Sequence, residues 1–230
     1  MWQKFTESLV LNFVKEERWR YLVNGLGVTL KVTFFAVLLG LVIGFTVAIV
    51  RSIHANTGRL AIASAIGGFY LTVIRGTPVV VQLLLIYFGV FRSVRIDKIF
   101  VAIIAFGINS GAYQAEIFRS GIQSIPKGQF EAGRSLGFNY IQTMVYIIMP
   151  QAFKNVIPTL ANEFIVLMKE TSVAGYIALE DLTKGGDIIR SRTYAAFMPM
   201  MAVALIYLIM VLVFSQGVKY LEGRLQTSGR

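Results

Sequence analysis

A carboxylate, a guanidinium and a few amides and hydroxyls lie inside stretches of this chain that are otherwise apolar. Glu163 shares its stretch with Thr159, Asn162, Lys169 and Glu170. At about 100° per residue these five fall within an arc of roughly 120° of one helix, and Leu160, Phe164, Ile165, Leu167 and Met168 cover the rest. Counting about 1.5 Å per residue from Ala152 puts Glu163 some 16 Å along that helix, near the middle of a bilayer. A charge at that depth marks either a polar pathway or an internal ion pair. Arg75 heads the run Arg75-Gly76-Thr77-Pro78. Pro78 lacks an N–H and pushes Thr77 out of the helical region, so the helix should break there. Unwound backbone is tolerated at membrane depth only where protein buries it or a cavity receives it. The two-pronged Arg75 side chain can grip a carboxylate, either that of a bound ligand or that of Glu116 or Glu163. Asn109-Ser110-Gly111 lies about 15 Å in from Ile99, at a depth like that of Glu163. It can line the same pathway or simply join helices by hydrogen bonds.

None of these groups suggests bond-making chemistry. The 230 residues include no cysteine and one histidine, His54, which removes thiol catalysis, disulfides, zinc clusters and a histidine-based triad. A Gly-Lys dipeptide is absent, so a phosphate-binding P-loop is not available. The formal charge of +10 is scattered between apolar segments without a basic stripe carrying exposed aromatics, which argues against nucleic acid. A membrane enzyme would have no plausible catalytic set.

The elements that position these residues are apolar helices. Hydrophobic residues make up 56% of the chain, with a mean hydropathy of +0.67, beyond ordinary globular usage. Spans of about twenty residues are predicted at Leu22–Val50, Leu60–Phe91 with the interruption at Arg75, Ile99–Phe118, Ala152–Met168 and Thr193–Val218. The expected fold is therefore an all-α integral membrane protein with five transmembrane helices and its termini on opposite sides. Residues 1–20 hold no leader-like apolar core. Their Trp2, Phe5, Leu9 and Phe13 fall at helical spacing, as in an amphipathic helix resting on membrane lipid. Lys and Arg divide almost evenly between the two sides, so the positive-inside rule does not orient the chain.

Between the third and fourth spans the chain turns basic and polar: SIPKGQFEAGRSLGFNYIQ. Pro126 suits the first turn of a helix, and Gly137 suits the left-handed residue that ends one. The helix between them is about eleven residues, too short and polar to cross a bilayer. Asn139 with Gln142 then offers a capping box for the next helix.

The block from Asn109 to Thr171, with NSGAYQAEIFRSGIQSIPKGQFEAGRSLGF and MPQA, closely resembles the permease subunits of ATP-binding-cassette importers for polar amino acids, and the likeness runs from about Tyr21 to Leu221. Their signature is the EAA loop, a cytoplasmic coupling helix that docks on the ATPase. One departure is Gly133 where many relatives carry alanine, a change that loosens a helix by up to about 1 kcal/mol. The resemblance implies the type I importer permease fold over residues 21–221, followed by a cytoplasmic tail at 222–230. Coupling would lie in Lys127, Glu131, Ala132, Gly133, Arg134 and Gly137. The implied partners are two ATPase subunits, which bind the ATP and Mg while this chain holds no cofactor, a second permease that is identical or homologous, an extracytoplasmic solute-binding protein and the amino-acid substrate. It implies a multi-pass protein of the bacterial cytoplasmic membrane, with the N-terminus outside and the C-terminus inside, performing no catalysis itself. The substrate pathway would contain Arg75, Thr77, Asn109, Ser110, Asn162 and Glu163. Glu163 would meet the substrate's positive groups, with Arg75 and the two amides near its carboxylate. An extra acid favours a cationic amino acid. The rival reading is a gradient-driven carrier using Glu116, Glu163 and Glu170 for protons, which leaves the EAA loop without a purpose.

Overall fold

The computed structural model describes residues 2–227, with side chains through 225, and among them only helices and their connections occur. A short helix α1 (Trp2–Leu9) runs into a wide π turn at Val10–Val14. Trp2 is 82% exposed and Phe5 50% exposed, leaving an apolar edge outward, while Asn12 on the other side is buried and accepts a hydrogen bond from Thr193 Oγ1 at 2.8 Å. The long helix α2 (Trp19–Thr57) has 39 residues, about 58 Å, so it exceeds the roughly 30 Å apolar core of a bilayer and extends beyond it. It stops at Gly58, whose φ of 70° allows its N–H to close on His54 O.

The second apolar region is cut in two, α3 (Ala61–Arg75) and α4 (Val79–Leu85), with α4 continuing as a π turn to Val90. The break falls at Gly76-Thr77-Pro78, as the proline dictates, and the two halves meet at 109°. Helix α5 (Lys98–Gln123) begins where the Asp97 carboxylate accepts the Ile99 N–H at 2.8 Å. Then come α6 (Lys127–Ser135), α7 (Tyr140–Thr143), a π turn at Met144–Ile148 and α8 (Met149–Glu170). That π turn ends two residues before Pro150, whose missing N–H leaves a gap in the hydrogen-bond ladder that a wider turn accommodates. Helix α9 (Leu182–Thr193) is capped by the Asp181 carboxylate, and α10 (Phe197–Thr227) closes the chain. Residues 222–227 continue α10, and the last three residues of the expected tail lie outside the described residues.

Among the described residues three helices, α2, α5 and α10, are long and apolar enough to cross a membrane, and the bent α3–α4 pair makes a fourth candidate. Helix α8 is long enough at 22 residues but carries Lys154, Glu163, Lys169 and Glu170. The polar arc that makes it informative also makes it the least membrane-like of the expected spans. Val42, Ile62, Phe69 and Leu85 are more than half exposed, giving the helices the greasy exterior of a protein solvated by lipid.

The centre is the α2–α5 contact. Thr29, Val32, Thr33, Ala36, Gly40, Gly44 and Ala48 form a buried stripe of mostly small side chains along α2. A β-carbon on Gly40 would stand 2.7 Å from Gln114 Nε2, and one on Gly44 would stand 2.8 Å from the Ala115 backbone nitrogen. Helices in lipid associate by such close backbone approach, since there is no water to drive apolar surfaces together. Gly44→Leu should therefore unseat α5, at a cost of about 1–3 kcal/mol or more from overpacking, and lower both thermal stability and monodisperse yield of purified protein. Gly27→Leu, where nothing lies within 4 Å, should leave both unchanged. Equal behaviour of the two variants would disprove the central role of this contact.

Candidate functional site

A groove of about 470 Å³ runs between α5 and α8, lined by Tyr113, Glu116, Arg119, Asn155, Thr159 and Glu163 among others. The helical spacing of Asn155, Thr159 and Glu163 turns all three toward it, one turn apart. Glu163 accepts a hydrogen bond from Ser110 Oγ at 3.2 Å, and Ser110 is itself approached by Gln114 Nε2 at 2.9 Å. Glu163 is thus anchored through one oxygen, and among the described residues no cation pairs with it. A fixed, half-buried carboxylate facing a polar groove is suited to receive a cationic group.

Arg75 goes elsewhere. Its Nη1 lies 3.7 Å from Glu116 Oε2, and its guanidinium sits over the Tyr113 ring at 5.9 Å. Glu116 is held more tightly by Arg119, at 2.7 Å through Nη2 and 3.0 Å through Nε, and Arg119 also donates to Gln123 at 2.8 Å. Glu116 therefore stands between two guanidiniums at one side of the groove. Of the two kinds of partner open to Arg75, the carboxylate of Glu116 is the one it has in this structure, at the long end of ion-pair distance and with the side chain 44% exposed. An exposed, loosely held guanidinium remains free to reach another carboxylate.

Asn109 and Thr77 belong to a third cluster that the sequence did not single out. Gln82 is a lone amide in the apolar run of α4, and it is buried. Its Nε2 donates to Ile74 O at 2.7 Å, Thr77 O at 3.0 Å and Thr77 Oγ1 at 2.8 Å, while its Oε1 accepts from Asn109 Nδ2 at 3.0 Å. The carbonyls left open by the break are thereby satisfied and tied to α5. The Asn109 amide is occupied as structural glue and does not line the groove. Asn162 is exposed and donates to Pro158 O at 3.2 Å. Of the six pathway residues expected from the sequence, the structure joins Ser110 to Glu163 and, through Gln82, Thr77 to Asn109. Arg75 and Asn162 stand apart from both pairs. A polar residue four positions after a helix-breaking proline was the available signal for Gln82.

The polar interval between α5 and α8 is a compact unit. Pro126 sits one residue ahead of α6, with an extended ψ of 138°, and its carbonyl accepts the Gln129 N–H at 3.0 Å. The helix is nine residues long. At its end Gly137 has φ of 80°, the Gly137 N–H reaches Arg134 O at 2.9 Å and the Phe138 N–H reaches Gly133 O at 3.1 Å, the pattern of a Schellman cap. Asn139 and Gln142 then exchange reciprocal bonds of 2.9 Å as a capping box. Ile122, Ile125, Met144, Ile148 and Ala152 bury against Phe130 and Tyr140, fastening α6 to the ends of α5 and α8. The Tyr140 hydroxyl adds a link to α2, accepting from Asn56 Nδ2 at 3.2 Å. Gly133 is buried, and a β-carbon there would stand 2.6 Å from Thr143 Cγ2 and 2.7 Å from its Oγ1. The glycine is required by the close approach of α7. Lys127, Glu131, Ala132 and Arg134 are all exposed.

Comparison with known proteins places this arrangement. The model of the family described as "Binding-protein-dependent transport system inner membrane component" matches residues 40–227. The glutamine transport system permease protein of Escherichia coli (strain K12) is 38% identical over 208 residues, covering 89% of this chain and 93% of its own. The arginine transport system permease protein of Bacillus subtilis (strain 168) is 36% identical over 210 residues, covering 90% and 94%. A crystal structure of an amino acid ABC transporter with histidines aligns with a TM-score of 0.84 and 41% identity, covering 92% of this chain and 98% of that one. The all-helical, multi-span architecture expected from the sequence is the architecture found. This chain belongs to the family of binding-protein-dependent transport system inner membrane components.

Proposed function

We propose that the chain is the membrane-spanning subunit of an ATP-driven importer for polar amino acids, working with two ATPase subunits, a second permease and an extracytoplasmic solute-binding protein. The observation that carries this reading is the α6–α7 unit: a rigid, exposed helix capped at its far end and bolted to α5 and α8, the two helices that wall the groove. A push on α6 is transmitted to both walls. Permeases for glutamine and for arginine are similar over nearly their whole length, which supports an amino-acid cargo. With α6 facing the cytoplasmic ATPases, the C-terminus lies inside and the N-terminus outside. ATP and Mg belong to the ATPase partners. This chain supplies the pathway and the coupling element and makes or breaks no bond.

In the groove, Glu163 offers a carboxylate to the substrate's ammonium or cationic side chain. Arg75, loosely paired with Glu116, supplies the guanidinium for the substrate's carboxylate once the helices move. An amino acid needs both charges satisfied when water is excluded, because an unpaired ion there costs several kcal/mol.

In proteoliposomes containing the full complex, uptake should require ATP and persist without a proton gradient; uptake driven by a gradient alone would overturn the importer reading. Glu163→Gln, near-isosteric and neutral, should lower uptake of a cationic amino acid by about tenfold or more, equal to about 1.4 kcal/mol of lost stabilisation. Ser110→Ala should raise the half-saturating concentration a few-fold by losing one hydrogen bond of about 1 kcal/mol. Normal kinetics in Glu163→Gln would make Glu163 a structural residue.

Coupling has its own test. Gly133→Ala should force α6 away from Thr143, by an overpacking penalty of about 1–3 kcal/mol, and raise the ATP hydrolysed per molecule imported. Adding Thr143→Ala should restore the ratio. Gly137→Val should uncouple in the same sense without such rescue, because the position needs positive φ. A normal ratio in Gly133→Ala or in Gly137→Val would refute the coupling geometry.

A further inference from the structure

A second cavity is larger than the groove. It holds about 830 Å³ and lies between the last turns of α2, the end of α5 and α6. Arg51, Arg119, Lys127 and Arg134 all line it, against one acid, Glu131. Arg119 is already neutralised by Glu116, and Arg75 is drawn to the same carboxylate. Arg51, Lys127 and Arg134 have no carboxylate at ion-pair distance among the described residues.

The place of Arg51 is built. A β-carbon on Gly67 would stand 3.8 Å from Arg51 Cγ and Cδ, and one on Gly68 would stand 3.3 Å from its Nη1. Arg51 thus lies against this part of α3, with Gly68 leaving the room for its Nη1. Asn56 and Gln123 add neutral hydrogen-bonding groups, whereas Ala48, Ala55, Ile122, Ile125 and Phe130 give the cavity an apolar side. Three cations without a direct ion pair, set against the one acid Glu131 and beside an apolar wall, match a phosphate attached to hydrocarbon. The level fits too: Arg51 is six residues, about 9 Å, before the end of an α2 that overruns the bilayer core. A cavity of this size is in the range for small-molecule sites, roughly 300–1,000 Å³. Basic pockets between spans at a membrane face are suited to anionic headgroups.

We propose that this cavity binds the phosphate headgroup of an anionic phospholipid from the leaflet that α6 faces, with Arg51 as its fixed anchor and Lys127 and Arg134 closing over it from α6. The assignment rests on the reading of α6 as a helix at the membrane surface. A lipid held there would bridge α2 and the coupling helix and brace α6 while the ATPase acts on it.

The test is lipid retention by the complex of permease and ATPase, moved from detergent into nanodiscs of phosphatidylcholine with phosphatidylglycerol added, and read by native mass spectrometry without ATP or amino acid. Wild type should retain phosphatidylglycerol in preference to phosphatidylcholine. Arg51→Gln should weaken retention about fivefold, as expected for one cation at a membrane surface, and Arg51→Glu should weaken it further. Arg51→Lys should keep most of it, and Arg59→Gln, outside the cavity, all of it. Melting temperatures of the variants separate lost binding from lost folding. Equal retention in wild type and Arg51→Glu would overturn the site. Release of the lipid by inorganic phosphate at millimolar concentration would reassign it to a free anion, and lipid retention only in the absence of the ATPase would reassign the cavity to that protein. The importer reading fails separately, through ATP-independent uptake with lipid retention intact.

Discussion

Everything else in this chain hangs from the near-contact of two backbones, α2 against α5. Gly40 and Gly44 on one helix and Gly107 and Gly111 on the other leave no room for β-carbons, which would fall on Gln114, Ala115, Leu39 and Ile43. In lipid, where apolar side chains are solvated equally well in or out of the contact, this intimacy supplies van der Waals packing that larger residues would forbid. It fixes the rotation of α5 about its axis. With that rotation set, Asn109 faces the helix break, Ser110 faces α8, and Glu116 and Arg119 face the groove.

The break between α3 and α4 illustrates how a liability becomes a support. Pro78 removes a hydrogen bond and turns the chain by 109°, leaving carbonyls that a bilayer cannot hydrate. One buried amide, Gln82, answers two of them, Ile74 O and Thr77 O, and spends its remaining oxygen on Asn109. The same side chain closes the open helix end and joins the bent pair to the central helix. Arg75, at the lip of the bend, is left partly exposed beside Glu116.

Charge is distributed along α5 and its neighbours. Glu163 is held by a neutral hydroxyl, Glu116 stands between two arginines, and the cavity beside α6 is mostly basic. Arg119 is shared by groove and cavity.

The sequence by itself determined the features that depend on residues within about four positions of one another: the break at Pro78, the left-handed Gly137, the Asn139–Gln142 box and the polar arc of α8. Their physics is local, a missing N–H, a tolerated positive φ, a side chain reaching the next turn. It could not determine which distant polar groups meet. Matching depth put Asn109 near Glu163, the polar arc added Asn162 and the helix break added Arg75, yet only rotation decides which face each presents, and rotation is set by glycine contacts between helices some seventy residues apart in the chain. Tertiary packing therefore decided that Ser110 holds Glu163, that Gln82 claims Asn109 and that Arg75 leans on Glu116. It also decided why position 133 is glycine, because the clash that alanine would cause is with Thr143, on the helix that packs back across α6.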